Sequence, residues 1–276
     1  MDQRIYEEHK KKLLEKIEDY AKEDVILAFS GGVDSGLILA IATKAAERTG
    51  HTVYAVTIKT TLHPMGEAKE AERMAKEMGA VHKLLEVDEF QCAGIGDNPK
   101  DRCYRCKKYI FTELKHMAEN MGIATILDGT NEDDLHVYRP GIRALKELSV
   151  KSPLAETGMT KEEIREFAKE LFLPIAQKPS APCLATRFPY GTRLSRKEMD
   201  KVEKGEQFLR SLGFYNVRIR VYGDMVRIEV DEKDLGKIME HRDKILSCLM
   251  DLGYLHITLD LAGFHSGSMD LQITEK

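Results

Sequence analysis

The stretch Ala28-Phe29-Ser30-Gly31-Gly32-Val33-Asp34-Ser35-Gly36 decides the fold and most of the chemistry of this chain. It ends a short apolar run, residues 25–29, and precedes a helical apolar pattern over 37–45. Two glycines after a strand let successive backbone N–H groups turn toward one point, while Ser30 and Ser35 add hydroxyl donors at the positive end of the next helix. The segment therefore predicts a phosphate cradle. It lacks the Lys-Ser/Thr ending of a Walker loop and the three-glycine spacing of a dinucleotide fingerprint.

Around this loop, strand and helix patterns alternate along the chain. The predicted strands are 25–29, 52–58, 82–87 and 124–127, and the predicted helices are 6–22, 37–45, 67–78 and 107–121. Strands that alternate with helices require crossover connections, which indicates an α/β fold with a mostly parallel, doubly wound sheet covered on both faces. Right-handed crossovers then place the glycine turn at the carboxyl edge of the sheet, where open α/β folds bind ligands.

The pattern changes near residue 150, and we predict three segments. Residues 1–150 form the nucleotide-binding domain, 151–192 a helix and a Pro-rich catalytic loop or linker, and 193–276 a smaller α+β domain for substrate binding and oligomerisation. A capping box at Thr160-Lys161-Glu162-Glu163 starts a helix over 161–172. The C-terminal patterns predict helices over 196–212 and 232–252 and strands over 217–222, 225–230 and 256–261.

Composition and charge narrow the class of protein. The chain has 276 residues, 42% of them hydrophobic, and its 42 Lys and Arg against 46 Asp and Glu give a net charge of −4. These values predict a globular protein, and the mild acidity argues against non-specific nucleic-acid binding. No run approaches the roughly 18 apolar residues of a membrane span, and the N-terminus has no apolar signal-peptide core, so we expect a cytoplasmic protein.

Five cysteines in a chain without an export signal favour metal binding or catalysis over disulfides. The pair in Cys103-Tyr104-Arg105-Cys106 precedes a predicted helix, and Cys183 lies in the Pro-rich bend. A two-residue gap lets both thiolates face one metal centre, and a distant third sulfur can complete three ligands. A fourth His or Cys would suit zinc, whereas an open corner would suit a [4Fe–4S] cluster. A redox CxxC pair and reduced cysteines without a joint role are the alternatives.

The hexapeptide Ser30-Gly31-Gly32-Val33-Asp34-Ser35 resembles the PP-loop of the adenine-nucleotide α-hydrolase superfamily. This resemblance implies that the loop holds the pyrophosphate of ATP, with Mg²⁺, and that an acceptor is activated by adenylation. It also implies that the adenine lies against the ends of neighbouring strands, by position at Val56-Thr57 and Gly129. The implied nucleotide-binding residues are Ala28, Ser30, Gly31, Gly32, Asp34, Ser35, Thr57 and Gly129.

A longer pattern, over about residues 25–270, resembles the LarE-type pyridinium-3,5-biscarboxylic acid mononucleotide sulfurtransferases of nickel-pincer cofactor synthesis. The matching pieces are Ser30 to Ser35, Leu127-Asp128-Gly129-Thr130-Asn131, Tyr138-Arg139-Pro140-Gly141, Cys183 with Arg187-Phe188-Pro189-Tyr190-Gly191-Thr192, residues 208–214, Val217-Arg218-Ile219-Arg220 and residues 259–264. The resemblance implies a catalytic Cys183, which in some members gives up its own sulfur and ends as dehydroalanine. Cys103 and Cys106 resemble the extra pair of cluster-bearing members. We therefore favour a [4Fe–4S] cluster on Cys103, Cys106 and Cys183, with a sacrificial Cys183 as the alternative.

The implied substrate is an anionic small-molecule nucleotide, so clustered guanidinium groups are expected. Arg187 follows the cysteine and is assigned to catalysis. The other candidates are Arg218 and Arg220, which share one face of a strand, and Arg139 and Arg143. Solvated surface charge or packing is the alternative for each. Family position also implies that Glu206 and Glu229 hold a divalent ion, with solvated carboxylates as the alternative. A sulfide or other sulfur donor and a homo-oligomer are further implied.

Three other functions compete with this one. A cluster-dependent tRNA thiolase also combines a PP-loop with three cysteines, but it would need a basic RNA-binding surface, and the C-terminal basic residues are interspersed with acids. An amidating enzyme would have to use free ammonia. A catalytically silent ATP or AMP sensor would need the loop alone. We expect neither a membrane nor a nucleic acid as a partner.

Overall fold

The computed structural model describes residues 2–62, 67–177, 183–265 and 267–269. The chain divides into two compact units, and both are discontinuous in sequence. The first comprises Met1–Thr61, Met65–Gly94 and Asp101–Ser180, and the second comprises Leu62–Pro64, Ile95–Lys100 and Ala181–Lys276. None of the helices in the described part of the chain combines the length and the hydropathy that a membrane span requires.

The first unit is built on a four-stranded parallel sheet, which confirms the predicted α/β class. Its strands are β1 (Val25–Ala28), β2 (Val53–Lys59), β3 (Val81–Glu86) and β4 (Thr125–Leu127), in the order β3-β2-β1-β4. All three pairings are parallel, so the ends of β1, β2 and β4 share one edge.

Helices cover both faces of this sheet because β1 is apolar on both of its sides. Val25 and Leu27 point into one core cluster, and Ile26 points into the other. The helices of this unit are α1 (Gln3–Tyr20), α2 (Val33–Thr49), α3 (Glu67–Glu77), α4 (Glu89–Cys92), α5 (Arg102–Asn120), α6 (Gly141–Glu147), α7 (Pro153–Glu156) and α8 (Lys161–Glu170), with 3₁₀ turns at Asp133–His136 and Pro174–Gln177.

Helix α8 begins at the predicted capping box. The Thr160 hydroxyl accepts from the Glu163 N–H, and the Glu163 carboxylate accepts from the Thr160 N–H at 2.8 Å. The predicted end at residue 172 is two residues late, because Phe172 adopts a left-handed φ of 55° that no helix can continue. In the Pro-rich bend, Pro174 starts a 3₁₀ turn, while Pro179 and Pro182 lie outside the described residues.

The second unit carries a small sheet in the order β5-β6-β7. Its elements are a 3₁₀ turn at Leu184–Arg187, α9 (Arg196–Ser211), β5 (Val217–Tyr222), β6 (Met225–Val230), a 3₁₀ turn at Glu232–Asp234, α10 (Leu235–Glu240), α11 (Arg242–Asp251) and β7 (His256–Leu259). Strands β5 and β6 are antiparallel, whereas β6 and β7 are parallel. The single helix predicted over 232–252 is wrong: it breaks at His241, whose ring packs edge-on against Phe214 with the centroids 6.3 Å apart.

Short segments from earlier in the chain complete the second unit. The Leu184 N–H donates to the Leu62 carbonyl at 2.8 Å, and the Leu194 N–H donates to the Gly96 carbonyl at 2.7 Å. Asn98 is fully buried; its side-chain amide donates to the carbonyls of Phe188 and Pro189, at 3.1 and 2.8 Å. The turn that carries Cys183 is therefore held by residues more than 80 positions upstream.

Candidate active site

The phosphate loop, residues 30–35, joins the end of β1 to the start of α2. Gly31 has a φ of +69°, a conformation that L side chains rarely adopt, and Gly32 is the N-cap of α2. The Gly32 N–H donates to Ser30 Oγ at 3.3 Å, and Ser30 Oγ lies 3.2 Å from Ser35 Oγ. Two hydroxyls are thus gathered at the N-terminus of a 17-residue helix, which is a suitable arrangement for an anion.

The acid of the loop, Asp34, has two partners in the first unit. Its Oδ1 accepts from the side-chain amide of Asn131 at 3.3 Å, and its Oδ2 pairs with the ammonium of Lys161. Asn131 is itself fixed, because its carbonyl oxygen accepts from the Asp134 N–H at 3.1 Å. Burial raises the pKa of Asp134, and Arg139, which pairs with this carboxylate at 2.9 Å, opposes the rise.

The end of β4 touches the phosphate loop at Gly129. A Cβ on Gly129 would lie 3.1 Å from the Ser35 backbone nitrogen and 3.3 Å from Asp34 Cβ, so a larger residue would push against backbone. The preceding residue, Asp128, is buried and accepts hydrogen bonds from Ser152 Oγ at 2.5 Å and Thr130 Oγ1 at 2.6 Å. Glycine at 129 therefore fits close packing against the loop, and its contact with adenine stays a prediction.

The end of β2 supports the loop from the other side. Thr57 is buried, and its hydroxyl donates to the Phe29 carbonyl at 3.0 Å. His82 Nε2 lies 2.9 Å from the same hydroxyl, and burial lowers the pKa of this histidine. Thr57 thus has a structural role at β1 in addition to its predicted contact with the nucleotide.

The cysteine pair lies in the first two turns of α5, not before the helix as the sequence pattern predicted, because Arg102 already starts the helix. Cys103 and Cys106 are three residues apart, so they lie on neighbouring positions of one helix face, and both are half-buried thiols without a disulfide. Tyr104 lies between them in sequence, and the Arg143 guanidinium stacks on its ring, 3.8 Å from the ring centroid. The donor pair fits two of the three predicted cluster ligands, while Cys183 belongs to the other unit.

In the second unit, a buried arginine holds the turn that carries Cys183. The Arg187 side chain is 2% exposed, and its Nε and Nη2 donate to the two oxygens of Glu206 at 2.7 and 2.9 Å. Its Nη1 donates to the Cys183 carbonyl at 3.3 Å. Burial acts to raise the pKa of Glu206, but the Arg187 guanidinium outweighs it and holds the pKa below its usual value.

A second buried pair lies on β5 and β6. Arg220 donates through Nε and Nη2 to Glu229 Oε2, at 3.0 and 2.8 Å, and through Nη1 to the Thr186 carbonyl at 2.9 Å. Arg227 also pairs with Glu229, at 2.9 Å. Two arginines therefore donate to carbonyls of the Cys183–Arg187 turn, Arg187 to that of Cys183 and Arg220 to that of Thr186, and each arginine is paired with a buried glutamate.

Arg218 adds a further positive charge to this region. It is buried on the same face of β5 as Arg220, and its guanidinium lies 5.0 Å from the centre of the Phe264 ring. Burial, and then the neighbouring Arg187, lowers the pKa of Arg218 to about 10. We call this set the arginine–glutamate cluster: Arg187, Arg210, Arg218, Arg220, Arg227, Glu206 and Glu229. Its excess of cations suits an anionic ligand.

For the two carboxylates of this cluster, Glu206 and Glu229, the sequence offered two interpretations: ligands of a divalent ion or solvated carboxylates. A solvated position is wrong for both, since Glu206 is 1% and Glu229 0% exposed. Their oxygens accept from Arg187, Arg210, Arg220 and Arg227, which would have to move before a cation could bind. Within the described ranges, no group of three His, Cys, Asp or Glu side chains could hold a metal ion. The metal assignment of Glu206 and Glu229 thus gains no support from this geometry.

The exposed arginines of the first unit contrast with these. Arg139 pairs with Asp134, and Arg143 pairs with Glu147 at 3.2 Å while it stacks on Tyr104. Their contact with the substrate stays a prediction. Sequence reasoning missed Lys161 as a member of the site, although one signal was present: it puts a cation in the first turn of a helix, where acidic residues are preferred.

The parallel sheet and the phosphate loop at its carboxyl edge define an ATP-using PP-loop enzyme. Comparison with known families agrees, because residues 5–137 match the PP-loop domain. A pyridinium-3,5-bisthiocarboxylic acid mononucleotide synthase of Lactiplantibacillus plantarum is 37% identical over 91% of this chain and 90% of its own. An uncharacterized protein, slr1717, of Synechocystis is 35% identical over 91% of this chain and 93% of its own.

A more distant match joins the chain to another branch of PP-loop enzymes. A tRNA-specific 2-thiouridylase of Rickettsia felis is 25% identical over 57% of this chain and 52% of its own. The full-length similarity to the synthase is both higher and longer. The chain therefore belongs to the LarE-type family of PP-loop sulfurtransferases, as the sequence motifs indicated.

Proposed function

We propose that this protein adenylates a carboxylate of a pyridinium biscarboxylate mononucleotide with ATP and converts it to a thiocarboxylate, in nickel-pincer nucleotide cofactor synthesis. One observation carries the proposal: the phosphate loop, with both hydroxyls at the N-terminus of α2, occurs in a chain that is similar over nine-tenths of its length to a synthase of the bisthiocarboxylic acid mononucleotide. The loop supplies the ATP chemistry, and the relative suggests the acceptor.

The reaction needs activation because a free carboxylate would have to expel oxide. A carboxylate oxygen of the substrate attacks the α-phosphorus of ATP, the bond to pyrophosphate breaks, and an acyl-adenylate forms. A sulfide then attacks the activated carbonyl, and AMP leaves with the electron pair of the broken C–O bond. The hydroxyls and N–H groups of the phosphate loop, together with Mg²⁺, offset the charge on the departing pyrophosphate. Asp34 offers the hard oxygen ligand that Mg²⁺ prefers.

The arginine–glutamate cluster supports binding of the mononucleotide. Its guanidinium groups outnumber its carboxylates, and burial already lowers the pKa of Arg218, so an anion there would relieve unfavourable charge. A phosphate or carboxylate accepts the paired donors of a guanidinium group. We therefore assign Arg218 and Arg220 to binding of the substrate anion and Arg187 to positioning of the Cys183 turn.

The sulfur source has two candidate forms. Cys103, Cys106 and Cys183 would hold a [4Fe–4S] cluster, which when bound supplies a transferable sulfide on its fourth iron. In the alternative, Cys183 gives up its own sulfur. The presence of Cys103 and Cys106 on one helix face favours the cluster. The physiological sulfur donor and a homo-oligomeric state remain expectations from the family resemblance.

The adenylating half-reaction is tested by pyrophosphate release. We expect release from MgATP that depends on the pyridinium biscarboxylate mononucleotide and that is lost in Ser35→Ala. Thr43→Ala, on the same helix, removes a hydroxyl that donates to the Leu39 carbonyl and should retain activity. Release that does not depend on the biscarboxylate would exclude the proposed acceptor.

The cluster is tested separately by anaerobic reconstitution with iron and sulfide. We expect about four irons per protomer in the native protein and loss of most of them in Cys106→Ala, with Cys248→Ala as the matched control in the second unit. Equal iron in all three proteins would remove Cys106 from the ligand set, whereas a native protein that gains no iron would favour the sacrificial route.

A tRNA thiolase is the second candidate, favoured by the match to the 2-thiouridylase. It requires the same adenylation, so pyrophosphate release alone does not separate the two. Replacing the biscarboxylate with unmodified tRNA does: we expect no stimulation by tRNA, and tRNA-dependent release would favour the thiolase.

A further inference from the structure

Asn98 makes three hydrogen bonds to the segment that follows Cys183. Its side-chain amide donates to the carbonyls of Phe188 and Pro189 at 3.1 and 2.8 Å, and its own carbonyl accepts from the Gly191 N–H at 2.9 Å. All of these residues belong to the second unit. Because Phe188 is only five residues after Cys183, the bonds fix the end of the turn that presents the sulfur atom.

The backbone and the burial of Asn98 explain why an asparagine occupies this position. Its φ is +48°, in the left-handed region that asparagine and glycine adopt more readily than other residues. The residue is fully buried, and a buried amide needs hydrogen-bond partners. Glycine would accept the backbone conformation but would offer no side-chain donor. Asparagine therefore supplies a buried donor at a left-handed position.

Two arginines hold the other part of the same turn. Arg187 donates to the Cys183 carbonyl at 3.3 Å, and Arg220 donates to the Thr186 carbonyl at 2.9 Å. Together with Asn98, three buried side chains thus donate to carbonyls on both sides of the turn. Reactive groups need supporting hydrogen bonds of this kind, because the backbone that carries them must stay in one conformation.

We propose that Asn98 is a positioning residue for sulfur transfer, which keeps the Cys183 turn in the conformation that the transfer step requires. The inference rests on the proposed function, and it applies to both candidate sulfur sources, because each of them uses Cys183. Asn98 lies in the second unit and the phosphate loop in the first, so the amide has no expected role in adenylation. Loss of the amide should therefore affect the second half-reaction and spare the first.

The test separates the two half-reactions in a single turnover of the full-length protein, reconstituted anaerobically with iron and sulfide. Pyrophosphate release measures adenylation, and thiocarboxylate formation measures sulfur transfer, both at saturating MgATP and pyridinium biscarboxylate mononucleotide. We expect Asn98→Gly, which permits the left-handed backbone but lacks the amide, to form thiocarboxylate about tenfold or more slowly. Its pyrophosphate release should change by less than about twofold, because the phosphate loop keeps all of its own groups.

Asn216→Gly is the matched control in the same unit. The Asn216 amide donates to the Asp231 carboxylate at 3.0 Å, and its loss should leave both half-reactions within about twofold of the native rates. If Asn98→Gly does not fold, Asn98→Asp gives a second measurement. It keeps the size of the side chain, but an ionised carboxylate only accepts hydrogen bonds, so thiocarboxylate formation should again fall relative to pyrophosphate release.

The other outcomes overturn the inference in distinguishable ways. Equal losses of both half-reactions in Asn98→Gly would reduce Asn98 to a residue that stabilises the fold, and native rates of both would exclude any contribution. A native ratio of thiocarboxylate to pyrophosphate in Asn98→Asp would refute the inference as well. A native protein that releases pyrophosphate but forms no thiocarboxylate would overturn the proposed sulfur transfer itself, and the inference with it.

Discussion

The phosphate loop and the arginine–glutamate cluster manage charge in opposite ways. The loop presents an anion mainly with backbone N–H groups, two hydroxyls and a helix N-terminus, and its one full charge, Asp34, is partly exposed and pairs with Lys161. The cluster uses full charges, with Arg187 and Arg220 each neutralised by a glutamate that is at most 1% exposed. The comparison shows that a binding site made of backbone groups adds little to the free-energy cost of folding, whereas a buried ion pair stabilises the fold only while both partners are present.

The largest expected effect comes from unpairing the cluster. Glu206→Gln leaves the buried Arg187 without its counter-charge and should lower the free energy of unfolding by ~3–5 kcal/mol. Urea titration measures this, with the exposed Asp200→Asn on the same helix as the control. A loss equal to that of the control would show that the buried pair contributes no more than a surface charge.

The next effect tests the packing of the loop. Gly129→Ala places a Cβ 3.1 Å from the Ser35 backbone nitrogen, and the required shift should cost ~1–3 kcal/mol and weaken ATP binding. Gly236→Ala, in a helix with open space around the new Cβ, is the control and should be neutral or slightly stabilising. Native ATP affinity in Gly129→Ala would show that the loop tolerates displacement of β4.

A smaller effect concerns pH. Because Arg187 holds the pKa of Glu206 below its usual value, the pair stabilises the fold above the unfolded pKa of about 4.3, and this contribution is lost as pH falls through the folded pKa. The difference in unfolding free energy between the native protein and Glu206→Gln should therefore become smaller as the pH falls from 7 to acidic values. The expected decrease is ~1 kcal/mol for each unit by which the pKa of Glu206 is lowered in the folded protein. A constant difference in urea titrations across that range would contradict the assignment.

The smallest effect is expected at an exposed arginine of the first unit. Arg143→Gln removes an ion pair with Glu147 and a stack on Tyr104, both in solvent, so the urea midpoint should not change measurably. The comparison is Arg187→Gln, which should behave like Glu206→Gln. Similar midpoints for the two arginine variants would remove the distinction between exposed and buried charge.

The sequence alone was sufficient to predict the phosphate loop and most of the parallel sheet. Local patterns determine both, since Ser30-Gly31-Gly32 must turn after an apolar strand and the capping box at Thr160 starts α8 as predicted. The helix over 232–252 was wrongly continued through His241, where α10 ends and α11 begins, because no glycine or proline marks the break in the sequence.

The partners of the charged residues could not be predicted. Arg187 and Glu206 are 19 residues apart, and Lys161 and Asp34 are 127 apart, so only tertiary folding brings each pair together. Family position singled out Glu206 and Glu229, and their metal binding stays a prediction; the alternative of solvated carboxylates is wrong, because a carboxylate in a sequence carries no mark of burial.

The bonds from Leu184 and Leu194 to the carbonyls of Leu62 and Gly96 have a practical consequence. A fragment that begins at residue 183 would lack these acceptors and the amide of Asn98, which bonds the carbonyls of Phe188 and Pro189. The C-terminal part therefore cannot be excised at a linker and studied in isolation, and mutational work on Cys183 requires the intact polypeptide.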